Sequence, residues 1–260
     1  MLKNRKHLSK KKIRADQHVL AMGLADSISQ AKALIMAGKV ISGDQRVEKP
    51  GDMIFVEAEV RVKTDDSHYV SRGGEKLAGA IKYFALLDFI QGRTVLDVGA
   101  STGGFTHCCL EHGAKKVYSV DVGTNQLAWE MRKDPRVVAI EKTDIRDLSD
   151  DHPLYDSSKV SFVVADISFQ SLGNLIVEIN RVAGKGPVWF LLLIKPQFEL
   201  PRHKIPEGGV VEDDDLRREA VEKVAAAIES SGIKELQFSD SSLAGRQGNR
   251  EVFVFGYRKL

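Results

Sequence analysis

The sequence predicts an α/β protein: a doubly wound, mostly parallel, seven-stranded sheet with helices on both faces, preceded by a small α+β domain. Three observations carry this expectation. From residue 71 onward, strand-length apolar runs alternate with helix-length amphipathic stretches. The last two apolar runs have no helix between them, which suits an antiparallel hairpin at a sheet edge. Residues 1–61 follow a different plan, two short helices and then short strands joined by Gly-Asp and Pro-Gly turns. The expected division is therefore 1–61, a polar connector 62–70, and 71–260.

Bulk composition narrows the class. The chain has 260 residues, 43% hydrophobic and 28% charged, ordinary values for a globular protein. No apolar run approaches the roughly 20 residues of a membrane helix, and the basic N-terminus has no apolar segment behind it, so neither a membrane protein nor a secretory signal is expected. Cys108 and Cys109 are adjacent, which disfavours a structural disulfide and fits a reducing cytoplasm. The net charge of +2 is unevenly spread: residues 1–70 carry 13 Lys and Arg against 9 Asp and Glu, the rest 25 against 27. The excess is densest in "KNRKHLSKKKIR", Lys3–Arg14, an arm suited to a polyanion.

The N-terminal elements follow in order. Val19, Leu20, Met22 and Leu24 mark a short helix ending near Gly23. Asp26 or Ser27 caps a second, with Ile28, Ala31, Leu34 and Ile35 inward and Gly38 as its stop. The segment then reads as short strands. In the large domain Gly73-Gly74 reads as a chain break, with a helix from about Glu75 carrying Leu77, Ile81, Phe84 and Leu87. Strands are expected at Thr94–Val98, Lys116–Asp121, Val137–Glu141, Ser161–Asp166 and Val188–Lys195, then around Ile233–Asp240 and Arg250–Tyr257. Helices are expected near Gly104–His112, Asn125–Arg132, Gln170–Val182 and Asp213–Ser230. In such a sheet the ligand lies beyond the carboxyl ends of the strands.

The loop after the first large-domain strand is Gly99-Ala100-Ser101-Thr102-Gly103-Gly104. It lacks the G-x-G-x-x-G of dinucleotide sites, and Phe105 stands where a P-loop needs Lys followed by Ser or Thr. What it does offer is an acid on the strand, Asp97, and a second acid, Asp121, at the tip of the next strand. An acid at the second strand's tip suits a ribose diol, and Asp97 suits loop amides or an ammonium. A third, Asp144, is in reach of an adenine amine. A ligand with an adenosine end and an amino-acid end uses all three, and S-adenosylmethionine is such a ligand. The expected cofactor set is Asp97, Gly99, Ala100, Ser101, Thr102, Gly103, Gly104, Phe105, Asp121, Val122, Asp144, Ile145 and Asp166. "HCCLEH", His107–His112, invites a metal, but four ligands cannot converge from one helical turn, and none is expected.

Two resemblances add to this reading. The two short helices, "AKALIMAGKV" and the turn Lys49–Asp52 resemble the S-four-type RNA-binding module, which rests a helix face and the next loop on RNA phosphates. Arg14, Lys32, Lys39 and Arg46 are the candidates for that face. The strings "YVSRGGEKL", "LDVGASTGGFT", "VYSVDVG", "DPRV", "ADISFQSL", "LLLIKPQFE" and "GNREVF" resemble the TlyA (haemolysin A) family of FtsJ-like RNA ribose 2′-O-methyltransferases, across nearly the whole chain. The resemblance implies a Rossmann-like class I methyltransferase fold and a Lys-Asp-Lys-Glu catalytic set, which falls on Lys76, Asp166, Lys195 and Glu251. It also implies ribosomal RNA, through cytidine, as substrate and ribosomal RNA or ribosomal subunits as partners.

The chemistry suits those residues. A ribose hydroxyl is a weak nucleophile and must lose its proton as it attacks. A lysine serves as base only if its pKa falls from about 10.4 toward roughly 7–8, and as an ammonium it still orients the hydroxyl and steadies developing negative charge. Arg72 in "SRGGEK" is a phosphate candidate, and Phe169 and Phe198 are candidates to stack on the target base. Two other classes stand beside this one: a pore-forming haemolysin, and an RNA-binding protein with an inactive enzyme domain.

Overall fold

The computed structural model describes residues 12–43, 45–56, 58, 60–62, 68–245 and 247–259. The basic arm before Lys12 and the connector residues 63–67 lie outside the described residues. Two compact units divide the chain, Met1–Asp66 and Ser67–Leu260.

The first unit contains β1 (Lys12–Arg14), α1 (Ala15–Ala21), α2 (Ile28–Met36), β2 (Val40–Ser42), β3 (Gln45–Arg46), β4 (Met53–Phe55) and β5 (Val60–Val62). Ser27 caps α2 by accepting from the Gln30 amide, 3.1 Å away, and the left-handed Gly38 ends it. β1 pairs with β4, and β2 lies between β3 and β5, all antiparallel. Val19, Ala31, Ile35, Val40, Val47 and Val60 close a small core.

The second unit contains α3 (Arg72–Tyr83), α4 (Leu87–Ile90), β6 (Thr94–Val98), α5 (Gly104–Glu111), β7 (Lys116–Val120), α6 (Trp129–Lys133) and β8 (Val137–Ile140). It continues with β9 (Val160–Ala165), α7 (Leu172–Val182), β10 (Val188–Ile194), α8 (Pro196–Glu199), α9 (Asp214–Ser230), β11 (Lys234–Asp240) and β12 (Val252–Arg258). The seven-stranded sheet runs β11-β12-β10-β9-β6-β7-β8. All neighbours are parallel except β12, which is antiparallel to both β10 and β11. The chain steps outward from β6 through β7 to β8 and then returns to β9 on the other side of β6. That reversal opens a crevice at the strand ends. No helix among the described residues is long and apolar enough to cross a membrane.

Alternation along the central strands divides the core into two layers. Leu96, Val98, Val163, Phe190, Leu192 and Val254 face α7 and α9, whereas Val95, Phe162, Val164, Leu191, Phe253 and Phe255 face α3 and α5. Asp97 belongs by parity to the second layer. It is fully buried, and its Oδ2 accepts from Thr106 Oγ1 at 2.6 Å. Thr106 Oγ1 in turn lies 2.7 Å from Ser119 Oγ, so one polar trio links β6, α5 and β7. Burial pushes the Asp97 carboxyl up to about 7, against the pull of the Thr106 hydrogen bond.

Three local expectations need correction. Gly73-Gly74 does not break the chain; both lie in the first turn of α3, which begins at Arg72. The glycines serve a close approach. A Cβ on Gly74 would fall 2.2 Å from the Tyr69 ring, and one on Gly104 would fall 2.2 Å from Ser71 Oγ and 2.9 Å from the Gly74 amide. Helix α6 starts at Trp129 rather than Asn125, because the amides of Asn125, Gln126 and Leu127 donate to the Glu141 carboxylate instead of forming a helix. Helix α3 ends at Tyr83, so the expected apolar stripe stops short of Leu87, which opens α4 and is exposed.

Two measurements probe these contacts. Gly104→Val drives a side chain into the α3–α5 crossing and is expected to cost about 1–3 kcal/mol, read as a lower denaturation midpoint in urea. For Asp97, the folded chain keeps its proton up to about 7 while the unfolded chain loses its proton near the ordinary carboxylate value. Stability relative to Asp97→Asn therefore falls as pH rises from about 4 to 7, by on the order of 1 kcal/mol per unit, and is level on either side. A pH-independent difference between the two proteins in urea titrations would refute this.

Candidate active site

At the carboxyl ends of β6, β7, β9 and β10 lies a cavity of about 580 Å³, within the range of small-molecule sites. Four of the ionisable side chains that line it come from four separate segments. Lys76 comes from α3, Asp166 follows β9, Lys195 follows β10, and Glu251 precedes β12. They form two ion pairs, Lys76 Nζ with Glu251 Oε2 at 2.5 Å and Lys195 Nζ with Asp166 Oδ1 at 2.6 Å. Lys76, Lys195 and Glu251 are buried, so each ammonium has a carboxylate in place of the water it gave up.

Neighbouring groups fix these pairs. Lys195 Nζ also donates to Ser168 Oγ at 2.7 Å. Glu251 is backed by Gly245, where a Cβ would fall 2.6 Å from Oε1. Asn249 spends its amide on two loop contacts, accepting from the Val211 amide at 2.8 Å and donating to the Gly209 carbonyl at 2.9 Å. At the rim stands Phe169, 89% exposed, in the left-handed region with φ 65°. Its ring centroid is 5.5 Å from that of Phe198, and Lys195 Nζ lies 5.9 Å from the Phe198 ring.

Toward β7 the lining changes. Asp121 stands one residue beyond the strand and accepts the amides of Ser101 at 2.8 Å and Gly123 at 2.6 Å. Val98, Val120, Val122, Ile145, Ile167 and Leu175 supply apolar wall, and Asp144 reaches the lining with both oxygens bound by Arg146, which holds its carboxyl below the usual range. A carboxylate with free acceptor directions beside apolar wall fits a nucleoside, and the two ion pairs lie in the same cavity.

The expected cofactor residues divide. Gly99, Ser101, Asp121, Val122, Asp144, Ile145 and Asp166 line the cavity. Asp97, Ala100, Thr102, Gly103, Gly104 and Phe105 do not. Asp97 is committed to Thr106. The carbonyls of Ala100 and Thr102 accept from Gly103 and Ala128. Gly103 caps α5, Gly104 serves the helix crossing, and Phe105 stacks on Phe253 in the core. The expected phosphate-binding cations differ in setting. Arg14 is forked onto Asp16 at 3.0 and 2.7 Å, Lys32 is exposed on α2, Lys39 is half-buried, and Arg46 lies across Gly38 with Glu48 at 3.8 Å. Arg72 donates to the Ala244 carbonyl.

In "HCCLEH" both cysteines are buried, which pushes the Cys108 thiol up to about 12, and His112 binds the Cys108 carbonyl at 2.8 Å. The described residues contain no group of three or more side chains placed to hold a metal. Sequence reasoning missed Gln126, Ser168, Gln197 and Asn249 in the lining. Ser168, Gln197 and Asn249 each sit inside a string already singled out, beside Asp166, Lys195 and Glu251; Gln126 lies outside them all.

Comparison with known proteins agrees with this architecture. Residues 69–258 match the FtsJ-like methyltransferase model, and residues 13–60 match the S4 domain. The Mycobacterium tuberculosis 16S/23S rRNA (cytidine-2′-O)-methyltransferase TlyA is 39% identical over 94% of this chain and 90% of its own. Hemolysin A of Brachyspira hyodysenteriae is 37% identical over 93% and 98%. A solved Streptococcus thermophilus structure assigned to the hemolysins, 34% identical, superposes with a TM-score of 0.70 over 96% of this chain and 90% of that one. With its own sheet, crevice and paired lysines in place, this chain belongs to the TlyA (haemolysin A) family of FtsJ-like methyltransferases.

Proposed function

We propose that this chain methylates the ribose 2′-hydroxyl of a cytidine in ribosomal RNA, using S-adenosylmethionine, as a cytoplasmic enzyme acting on ribosomal RNA or a ribosomal subunit. One observation carries the reading: two buried lysines, each paired with a carboxylate, Lys76–Glu251 and Lys195–Asp166, line one cavity beneath an exposed aromatic rim. The bound cofactor supplies an electrophilic methyl group on a sulfonium. Asp121 fits the ribose diol of its nucleoside, with Val122 and Ile145 as apolar neighbours.

Lys195 is the central group. An ammonium has three donors; Ser168 accepts from one, and Asp166 lies beside Nζ as an ion-pair partner. A further donor direction is left for the substrate hydroxyl. Lys195 thereby orients that oxygen, takes up its proton at Nζ when neutral, and steadies the developing negative charge when protonated. Asp166 fixes the lysine. Lys76 and Glu251 form the second pair of the same cavity, with their charges mutually compensated. Phe169 and Phe198 offer aromatic faces to the target base. The exposed Lys32 of α2 contributes a phosphate contact from the S4 domain.

Lys195→Ala is expected to lower transfer of labelled methyl to ribosomal RNA by about 10²–10⁴-fold while RNA binding persists. Alkali-resistant linkages in the wild-type product identify the 2′-hydroxyl; methylation confined to a base would refute the reading. Lys32→Ala is expected to reduce the slope of log affinity for RNA against log salt by about 0.7–0.9, measured by filter binding across about 50–200 mM salt. An unchanged slope removes Lys32 from the RNA face.

A further inference from the structure

One corner of the cavity holds a polar side chain, beside Asp121, that the chemistry above leaves unused. Each Asp121 oxygen accepts one backbone amide, from Ser101 or Gly123, and a carboxylate oxygen has room for a second donor. Gln126 lies beside it. A Cβ built on Gly123 would fall 2.1 Å from Gln126 Nε2 and 2.9 Å from Asp121 Oδ1, so amide and carboxylate border the same small space above that glycine.

No helix places Gln126, since α6 begins three residues later. Glu141 does. Its carboxylate accepts the amides of Asn125 at 3.0 Å, Gln126 at 3.1 Å and Leu127 at 3.4 Å, and the Arg132 guanidinium at 2.5 Å. Arg132 Nε closes the ring on the Leu127 carbonyl at 3.0 Å. The Arg132 hydrogen bond brings the Glu141 carboxyl down to about 2, so the clamp is ionised at neutral pH.

We propose that Gln126 is a further cofactor-binding residue, sharing the ribose diol with Asp121, and that Glu141 is the positioning residue that holds Gln126 there. The assignment rests on the S-adenosylmethionine reading and extends it. A vicinal diol offers two O–H donors and also oxygen lone pairs. A carboxylate satisfies only the donors; an amide N–H beside it satisfies the lone pairs without adding a second negative charge.

Calorimetric titration tests both roles, with S-adenosylhomocysteine and its 2′,3′-dideoxy analogue as probes. Gln126→Ala is expected to weaken S-adenosylhomocysteine about 5–10-fold, the size of one hydrogen bond, and to change the dideoxy analogue by less than about twofold. Glu141→Gln is expected to weaken S-adenosylhomocysteine comparably in the wild-type background and by less than about twofold in the Gln126→Ala background, because it acts through Gln126. Wild-type affinity in Gln126→Ala, equal losses for both ligands, or equal Glu141→Gln losses in both backgrounds would overturn the assignment. A wild-type chain that takes up no S-adenosylhomocysteine would instead overturn the cofactor reading and this assignment with it.

Discussion

Two ammonium groups held almost out of water in one cavity are the constraint around which the large unit is arranged. An isolated buried lysine ion is too costly to persist, so Lys76 and Lys195 each require a carboxylate within contact distance. The four partners lie far apart in sequence, and only a fold that converges four segments on one point satisfies both pairs. Breaking one member would leave its partner charged and alone, which ties the integrity of the site to the integrity of the fold.

The sheet reversal between β6 and β9 makes the crevice, and the α3–α5 crossing puts Lys76 into it. That crossing is possible because Gly74 and Gly104 present bare backbone to their neighbours. The small-residue turn after β6 therefore has two functions: Gly99 and Ser101 border the cavity, while Gly103 and Gly104 let helices pack closely behind it. The Asp97–Thr106–Ser119 trio reinforces the same region from inside the core.

Most of this architecture was legible in the sequence, because buried parallel strands appear as continuous apolar runs. Thr94–Val98 forms with the expected ends, and β7 through β12 differ by no more than two residues at either end. The acids were harder to sort, and strand parity explains why. Asp97 lies within β6, so its side chain is directed onto a sheet face beside Val95. Asp121, Asp166 and Lys195 each stand one residue past their strand, where the chain is free to turn a side chain into the crevice. Gln126 was missed because its placement depends on Glu141, a long-range partner that local pattern does not reveal. The same partner delays the start of helix α6 to Trp129.

The position of β12 has a consequence for biogenesis. It inserts between β10 and β11, so β11 has no sheet neighbour until the strand after it has been made. Glu251 immediately precedes that strand. During vectorial synthesis Lys76 therefore emerges 175 residues ahead of the carboxylate that neutralises it. The parallel core from β6 to β10 can assemble first, while the amine stays solvated and the pocket open on one side. The Lys76–Glu251 pair thus forms only once the closing hairpin has docked against an already assembled parallel core.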